Sequence, residues 1–284
     1  MYGIKTHMGI QFGPYIRLAR LDKPWGIVLL AWPTLSALVL TKASTPSLWI
    51  LFIAGILLTR SAGCVFNDYA DMWLDAKVSR TAQRPLVTGQ VSPNQALIFF
   101  VCLMLSAATL LWFLPFKAQL CGLLSGILLS IYPYTKRYIS TPQLFLGLVF
   151  SQGIPMAYLS TNTPIGAQAI LFYAIVVLWV IIYDTIYALT DYQDDIHTSV
   201  GSTAIALGSY VFPFIQYGYI ILILSWLLWG LTLNGFFHLF LIPLAHNLYQ
   251  QLKFVKQSYY FKAFLLNQSA GLYILIGIIV SSYQ

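Results

Sequence analysis

Apolar runs close to membrane-crossing length recur from end to end of this 284-residue chain, and short polar stretches between them carry nearly all of its charge. A helix needs about 20 apolar residues to cross a bilayer, and within lipid only helices or closed barrels satisfy their own backbone polar groups. With 59% hydrophobic and 8% charged residues, the chain lies outside the range of ordinary soluble domains, and no segment is left over to form one. The expected fold is therefore all-α, a polytopic membrane helical bundle making one domain over 1–284. Breaks at Pro, Gly and charge give about nine transmembrane helices, roughly 25–43, 47–66, 95–114, 117–133, 143–160, 168–189, 204–230, 235–250 and 268–283.

Charge fixes the expected orientation. With the N-terminus cytoplasmic, Lys5, Arg17, Arg20, Lys23, Lys77, Arg80, Arg84, Lys136, Arg137, Lys253, Lys256 and Lys262 all face the cytoplasm, and only Lys42 and Lys117 face out. Twelve against two, with Arg60 left inside a span, is the asymmetry of the positive-inside rule. Orientation thus accounts for the net charge of +7, and no basic face interleaved with aromatics points to nucleic acid. The first 24 residues show neither a long apolar core nor a small-residue cleavage site, so the expectation is that the N-terminus is retained. Cys64, Cys102 and Cys121 fall in apolar stretches without metal-type spacing and read as small core residues.

All eight acidic residues are Asp, and six of them form two clusters, Asp68, Asp71, Asp75 and Asp191, Asp194, Asp195. Acids are costly near lipid, so their gathering at two places is a functional-site signal. The clusters open two loops expected to be cytoplasmic, 67–94 and 190–203, and Asp68-Tyr69-Ala70-Asp71 echoes Asp191-Tyr192-Gln193-Asp194. This hints at an internal duplication, which in membrane folds places a shared site at the repeat interface. If the helix before it continues, Asn67, Asp71 and Asp75 recur on one face, as do Asp191 and Asp195, giving two combs of oxygen donors. Like charges at that spacing repel by about 0.2–0.5 kcal/mol per pair, and 190–203 has no Lys or Arg to neutralise them. Mg²⁺, with its preference for a few carboxylates, waters and phosphate oxygens, resolves the conflict and makes this a candidate metal–diphosphate site. Arg60 sits seven residues before Asn67, on roughly the same face. Buried in a span it needs an anion, either Asp68 or Asp71 or a bound diphosphate. Lys136 and Arg137 at the end of the fourth span read, on position alone, as interfacial anchors.

These residues resemble the UbiA superfamily of intramembrane prenyltransferases, and within it the members that prenylate 4-hydroxybenzoate for ubiquinone. The likeness covers nearly the whole chain. It rests first on Arg60-Ser-Ala-Gly-Cys-Val-Phe-Asn67-Asp68-Tyr-Ala-Asp71-Met-Trp-Leu-Asp75 with Arg80-Thr-Ala-Gln-Arg84-Pro85 beyond. The second signature is Tyr183-Asp184-Thr185-Ile-Tyr187-Ala-Leu-Thr-Asp191-Tyr-Gln-Asp194-Asp195 with Ser202-Thr203-Ala204. Arg20-Leu-Asp22-Lys23-Pro24 and Tyr132-Pro133-Tyr-Thr-Lys136-Arg137-Tyr138 support it. The resemblance implies a bundle around a central cavity, Mg²⁺ between the two Asp-rich loops, and a polyprenyl tail lying toward lipid at the bacterial-type inner membrane. By position it implies metal–diphosphate ligands at Asn67, Asp71, Asp75, Asp191 and Asp195, supported by Asp68, Asp184 and Asp194. Arg60 and Lys136 then serve the diphosphate. Arg137 is the candidate for the aromatic acid's carboxylate, because a planar fork matches a carboxylate as Lys does not.

Three positions depart from the pattern. Met72-Trp73 replace a usual basic pair, and Gly201 replaces a usual Lys before Ser202-Thr203-Ala204. Lys77, Arg80 or His197 are the candidates to compensate. The implied reaction is electrophilic aromatic substitution by an allylic cation, shielded by rings such as Tyr132, Tyr138, Tyr183 and Tyr187. Rival readings are a relative with another acceptor (naphthoate, homogentisate, haem or tetrapyrrole) and a cation-coupled transporter. A transporter would carry its acids near mid-membrane on broken helices, whereas six of eight acids here gather at one interface.

Overall fold

The computed structural model describes residues 12–197, 200–233 and 235–282, so Lys5 lies outside the described residues. Among these the regular elements are all helices. A short α1, Phe12–Leu18, precedes α2, Trp25–Leu40, and α3, Pro46–Ala70. The single turn α4, Met72–Asp75, opens a loop that leads to α5, Pro93–Leu111, and α6, Phe116–Thr135. Next come α7, Pro142–Phe150, α8, Gly153–Ser160, and the long α9, Ala167–Ala188. The remainder is α10, Tyr192–Asp195, α11, Thr203–Leu207, α12, Val211–Gly230, α13, Leu241–Lys256, α14, Tyr260–Leu265, and α15, Asn267–Ser282.

Local chemistry sets the starts. Pro46, Pro93 and Pro142 stand in the first turns of α3, α5 and α7, where a missing N–H costs nothing. Ser92 caps α5 reciprocally with Gln95, each side chain accepting the other's backbone N–H at 3.3 and 2.9 Å. Six helical segments are long and apolar enough to cross a membrane, and α2 is a shorter apolar helix of 16 residues. The expected span 143–160 is broken into α7 and α8 at Ser151–Gln152, and the expected 235–250 begins as the 3₁₀ segment Gly235–Phe240 before α13.

Burial sorts the helices. Along α9, Phe172, Ile175, Trp179, Ile182 and Ile186 are buried, so it forms the bundle's core. Leu105 on α5 and Leu120 and Leu124 on α6 point outward, as lipid-facing residues do. A buried polar chain ties the far side of the bundle together. Trp179 Nε1 donates to Asn267 Oδ1 at 2.8 Å, Asn267 Nδ2 to Gln251 Oε1 at 2.9 Å, and Gln251 Nε2 to Asn247 Oδ1 at 2.8 Å. Such bonds replace the hydrophobic drive that helices lack inside lipid, at about 0.6–2 kcal/mol each. A separate small apolar cluster of Leu18, Val65, Leu86, Val91 and Ala96 fastens α1 and the 76–92 loop to α3 and α5.

Candidate active site

α3 is 25 residues long and so rises about 37 Å, more than a hydrocarbon core of about 30 Å. Its polar last turn, Asn67 to Ala70, therefore stands at the interface. The helix stops at Asp71, whose φ of −101° and ψ of 6° leave the helical region before α4 resumes for one turn. Asp191 repeats this after α9 with φ −109° and ψ 7°, followed by α10. Both Asp75 and Asp195 donate their N–H to the carbonyl four residues back at 2.8 Å. The structural correspondence is thus Asp71 with Asp191 and Asp75 with Asp195. It lies three residues out of register with the Asp-Tyr-x-Asp echo in the sequence.

Every acid of the first cluster meets a cation. Asp68 accepts from both sides of a clamp, Arg20 Nη2 at 2.8 and 2.9 Å and Arg84 Nη1 at 2.8 Å. The same Arg84 nitrogen reaches Asp75 Oδ2 at 2.5 Å. Asp71 pairs with Lys136, and Arg137 stands 3.9 Å from it while donating to the Ala70 carbonyl at 2.5 Å and stacking on Tyr134. Arg20 gains its position from a left-handed φ of 58° at the end of α1, a conformation costing about 1–2 kcal/mol for a residue with a Cβ and offset here by the two-oxygen contact.

The second cluster is neutralised from the first loop. Arg80 donates from Nε to Asp191 Oδ1 at 2.6 Å, pairs with Oδ2 through its other edge, and reaches the Tyr187 hydroxyl at 2.9 Å. Ser79 donates to Asp194 at 3.3 Å. Of the three expected compensating residues, Arg80 alone faces the acids in this way. Lys77 lies over the exposed Trp73 ring and His197 is exposed. Arg60 does not pair with Asp68 or Asp71. It sits over the Phe150 ring at 5.4 Å, attracted to Asp184, with its Nε buried and without a hydrogen-bond partner. Gln143 also meets Asp184, and its oxygen accepts from the Thr203 N–H at 2.9 Å and hydroxyl at 2.7 Å, joining α7 to the Ser202-Thr203-Ala204 turn.

The missing Lys at 201 has a steric account. Gly201 donates its N–H to the Lys136 carbonyl at 2.7 Å, and a Cβ there would collide with the Ile139 carbonyl oxygen and lie 3.1 Å from that of Lys136. Two backbones touch at this point, so no side chain fits. The contact sets the second acidic loop beside Lys136, whose charge acts on both Asp71 and Asp195.

Burial dominates the titration of these acids. It raises Asp71 despite the opposing Lys136, Arg84 and Arg137. Asp75 is pushed up to about 6, chiefly by burial and against Arg84. Asp195 is likewise pushed up to about 6, by burial and then by the neighbouring Asp191 charge. Among the described residues no three acidic, His or Cys side chains converge as a ready metal cage; the carboxylates are held by cations instead. One atom is left over. Asp71 Oδ1 is buried and has no hydrogen-bond partner, Arg137 standing 3.9 Å away, and a carboxylate oxygen left in that state suits a hard cation.

A cavity of about 1370 Å³ runs inward from this interface. Asn67, Asp68, Arg80, Arg84, Arg60 and Asp184 line its polar end, with Tyr132, Tyr183 and Tyr187 beside them. Tyr138 is 86% exposed and takes no part. Asp75 and Asp191, paired with Arg84 and Arg80, are absent from the wall, as are Asp71, Asp195, Lys136 and Arg137.

A helical membrane bundle with paired acidic loops over a deep cavity defines an intramembrane prenyltransferase, and residues 30–267 match the UbiA prenyltransferase family. The chain belongs to that family. It is 40% identical over 279 residues to the 4-hydroxybenzoate octaprenyltransferase of Coxiella burnetii, covering 95% of this chain and 97% of that protein. It is also 40% identical over 270 residues to the enzyme of the same name from Legionella pneumophila, covering 93% and 96%. In fold it is similar to the apo UbiA homologue of Aeropyrum pernix K1 (TM-score 0.78, 24% identity, 89% of this chain and 97% of that one). It is similar also to an Archaeoglobus fulgidus homologue solved with DMAPP and Mg²⁺ (TM-score 0.69, 12% identity, 95% and 98%).

Proposed function

We propose that this protein transfers a polyprenyl group from polyprenyl diphosphate to the ring carbon ortho to the hydroxyl of 4-hydroxybenzoate, in ubiquinone biosynthesis. One observation carries the reading of the site: a single cavity is apolar over its depth and ends in arginines backed by acids, which matches a donor with a hydrocarbon tail and a diphosphate head. The relatives named for 4-hydroxybenzoate support the acceptor. Asn67, Asp71, Asp75, Asp191 and Asp195 are the residues suited to hold Mg²⁺, Asp71 through its Oδ1, which has no hydrogen-bond partner. Bound there, Mg²⁺ would supply positive charge to the departing diphosphate.

The chain's own groups do the rest. Arg80 and Arg84, facing the cavity, and Lys136 offer charge to diphosphate oxygens as the allylic C–O bond breaks and its electrons leave with the diphosphate. Asp68 holds Arg84, Asp184 draws Arg60, and Asp194 ties the second loop to Ser79 of the first. The allylic cation then bonds to the ring, and the ring proton leaves to a weak base. Tyr132, Tyr183 and Tyr187 present ring faces and polar hydroxyls at the cavity's polar end, and the helical walls keep water from capturing the cation. Two guanidiniums compete for the acceptor's carboxylate. Arg137 is engaged by Ala70 and Tyr134 and lies outside the cavity wall, whereas Arg60 lines it with an unpartnered Nε, so the geometry favours Arg60.

The same reading takes the chain as nine passes of one domain in a bacterial-type inner membrane, N-terminus and acidic loops cytoplasmic, with α7 and α8 together forming one pass. Membranes containing the protein should join labelled polyprenyl diphosphate to 4-hydroxybenzoate with Mg²⁺ and stop with chelator. Asp71→Ala and Asp191→Ala should each abolish product with membrane insertion unchanged. Near-normal turnover in either variant removes the metal assignment. Product only from a naphthoate or homogentisate removes the acceptor.

A further inference from the structure

Beyond Arg60 the cavity changes character. On α3, Leu51, Phe52, Gly55 and Ile56 line it, and from Arg60 to Leu51 the helix advances about 13 Å. Over that depth no charged side chain enters the wall among the described residues. The hydroxyls present are already engaged by their own helices. Thr59 donates to the Gly55 carbonyl at 2.7 Å, Ser125 to Cys121 at 2.8 Å, Ser130 to Gly126 at 2.9 Å and Thr34 to Leu30 at 3.1 Å. Nothing here recognises a polar ligand, and water would find few partners. The occupant this shaft suits is hydrocarbon.

One wall of the shaft is built unlike the others. Gly122 and Gly126 stand one turn apart on α6, and flexible side chains from two other helices fold over them. A Cβ on Gly122 would sit 2.5 Å from Leu111 Cδ2 and 3.2 Å from Met156 Cε, and one on Gly126 would sit 3.2 Å from Met104 Cε. All five residues line the cavity. Unbranched Met side chains adapt to what lies against them, so this wall is closely covered, yet adjustable.

We infer that the donor's tail runs down this shaft, and that the Gly122–Gly126 face of α6, beneath Met104, Leu111 and Met156, sets which tail lengths the protein accepts. This rests on the polyprenyl diphosphate reading above. A larger side chain on α6 obstructs only tails long enough to reach it. The head-group contacts at Arg80 and Arg84 stay as they are, so the effect must grow with tail length.

The test is binding of unreactive S-thiolodiphosphate analogues with geranyl, farnesyl and geranylgeranyl tails to the full chain in detergent with Mg²⁺, by calorimetry. In Gly126→Leu the ratio of geranylgeranyl Kd to geranyl Kd should rise at least tenfold over the wild type. Adding Met104→Ala to that variant should return the ratio most of the way. Met104→Phe, which fills the same space from the opposite wall, should reproduce the effect if Gly126→Leu fails to fold by its melting curve. An equal change for every tail, or none, overturns the inference and sends the tail instead into lipid at the cavity mouth near Trp25 and Phe261. A wild type that binds none of the analogues overturns this inference and the donor reading together. Bound analogues without product from 4-hydroxybenzoate remove only the acceptor, and the Kd ratio still decides the shaft.

Discussion

Arg84 carries more of the acidic loop than any other side chain. It joins Asp68 to Asp75, both nearly inaccessible, so Arg84→Ala leaves two buried carboxylates short of a partner. Removing one member of a buried ionic group costs about 3–5 kcal/mol. The expected outcome is a clearly lowered melting temperature in detergent, partly recovered in Arg84→Lys; a melt within a degree of wild type would contradict the clamp. Proton uptake gives a second prediction. Asp75 and Asp195 titrate near 6 in the folded protein, both raised chiefly by burial, against about 3.9 for an unfolded Asp. Their raised pKa means a stability contribution that is full below about pH 4 and lost as pH climbs through 6. With metal chelated, the protein should therefore melt higher at pH 5 than at pH 7 as far as these groups decide. Mg²⁺ affinity should fall over the same descent, because each ligand must shed a proton to bind. Melting with EDTA and Mg²⁺ titrations at both values check this, and an affinity that does not weaken on acidification would count against Asp75 and Asp195 as ligands.

At the level of elements, the contact between Gly201 and the 136–139 turn decides how the two acidic loops meet. Because the collision partners are the backbone oxygens of Ile139 and Lys136, they cannot turn aside as a side chain would. Gly201→Lys, which installs the Lys that the family resemblance leads one to expect there, should lower turnover and stability instead of raising them, and Gly201→Ala should do so by a similar amount. A Gly201→Lys variant more active than wild type would show that the loop has room. The sequence could not announce this contact, since it joins residues more than sixty positions apart. It did announce the helices and their rough ends, because hydropathy and proline position are local signals, and the two Asp clusters, because acids are so scarce. The arginines that hold those acids were harder to read: Arg80 lies 111 residues from Asp191 and Arg20 lies 48 from Asp68, and only tertiary structure brings them together. The break at Ser151–Gln152 was hidden by apolar residues on both sides, and the Asp-Tyr-x-Asp echo misled by three residues because its matching letters are not the matching turns.

For the whole molecule, function requires that all polar chemistry sit on one face of the membrane while the apolar shaft reaches toward the other. Six acids and their cations do cluster at one end of the cavity, and Leu51 and Leu114 are among the apolar residues that line it farther in. That polarity needs the reported helices to alternate in direction without a missing pass, and the number of passes decides it. Six segments are long enough to cross unaided; nine crossings require α2 to cross as a short helix, α7 and α8 to act as one, and α13 to cross despite Lys253 and Lys256 in its last turn. Nine is odd, so a cytoplasmic N-terminus puts the C-terminus outside. In a variant lacking Cys64, Cys102 and Cys121, single cysteines at the exposed Ser79 and Gln193 should react with an impermeant thiol reagent only once the membrane is opened from the cytoplasmic side. A cysteine in place of the exposed Lys117 should react from outside, as should a tag fused after Gln284. A tag found in the cytoplasm would make the number of passes even, and one of those three irregular segments would then lie along the interface instead of crossing it.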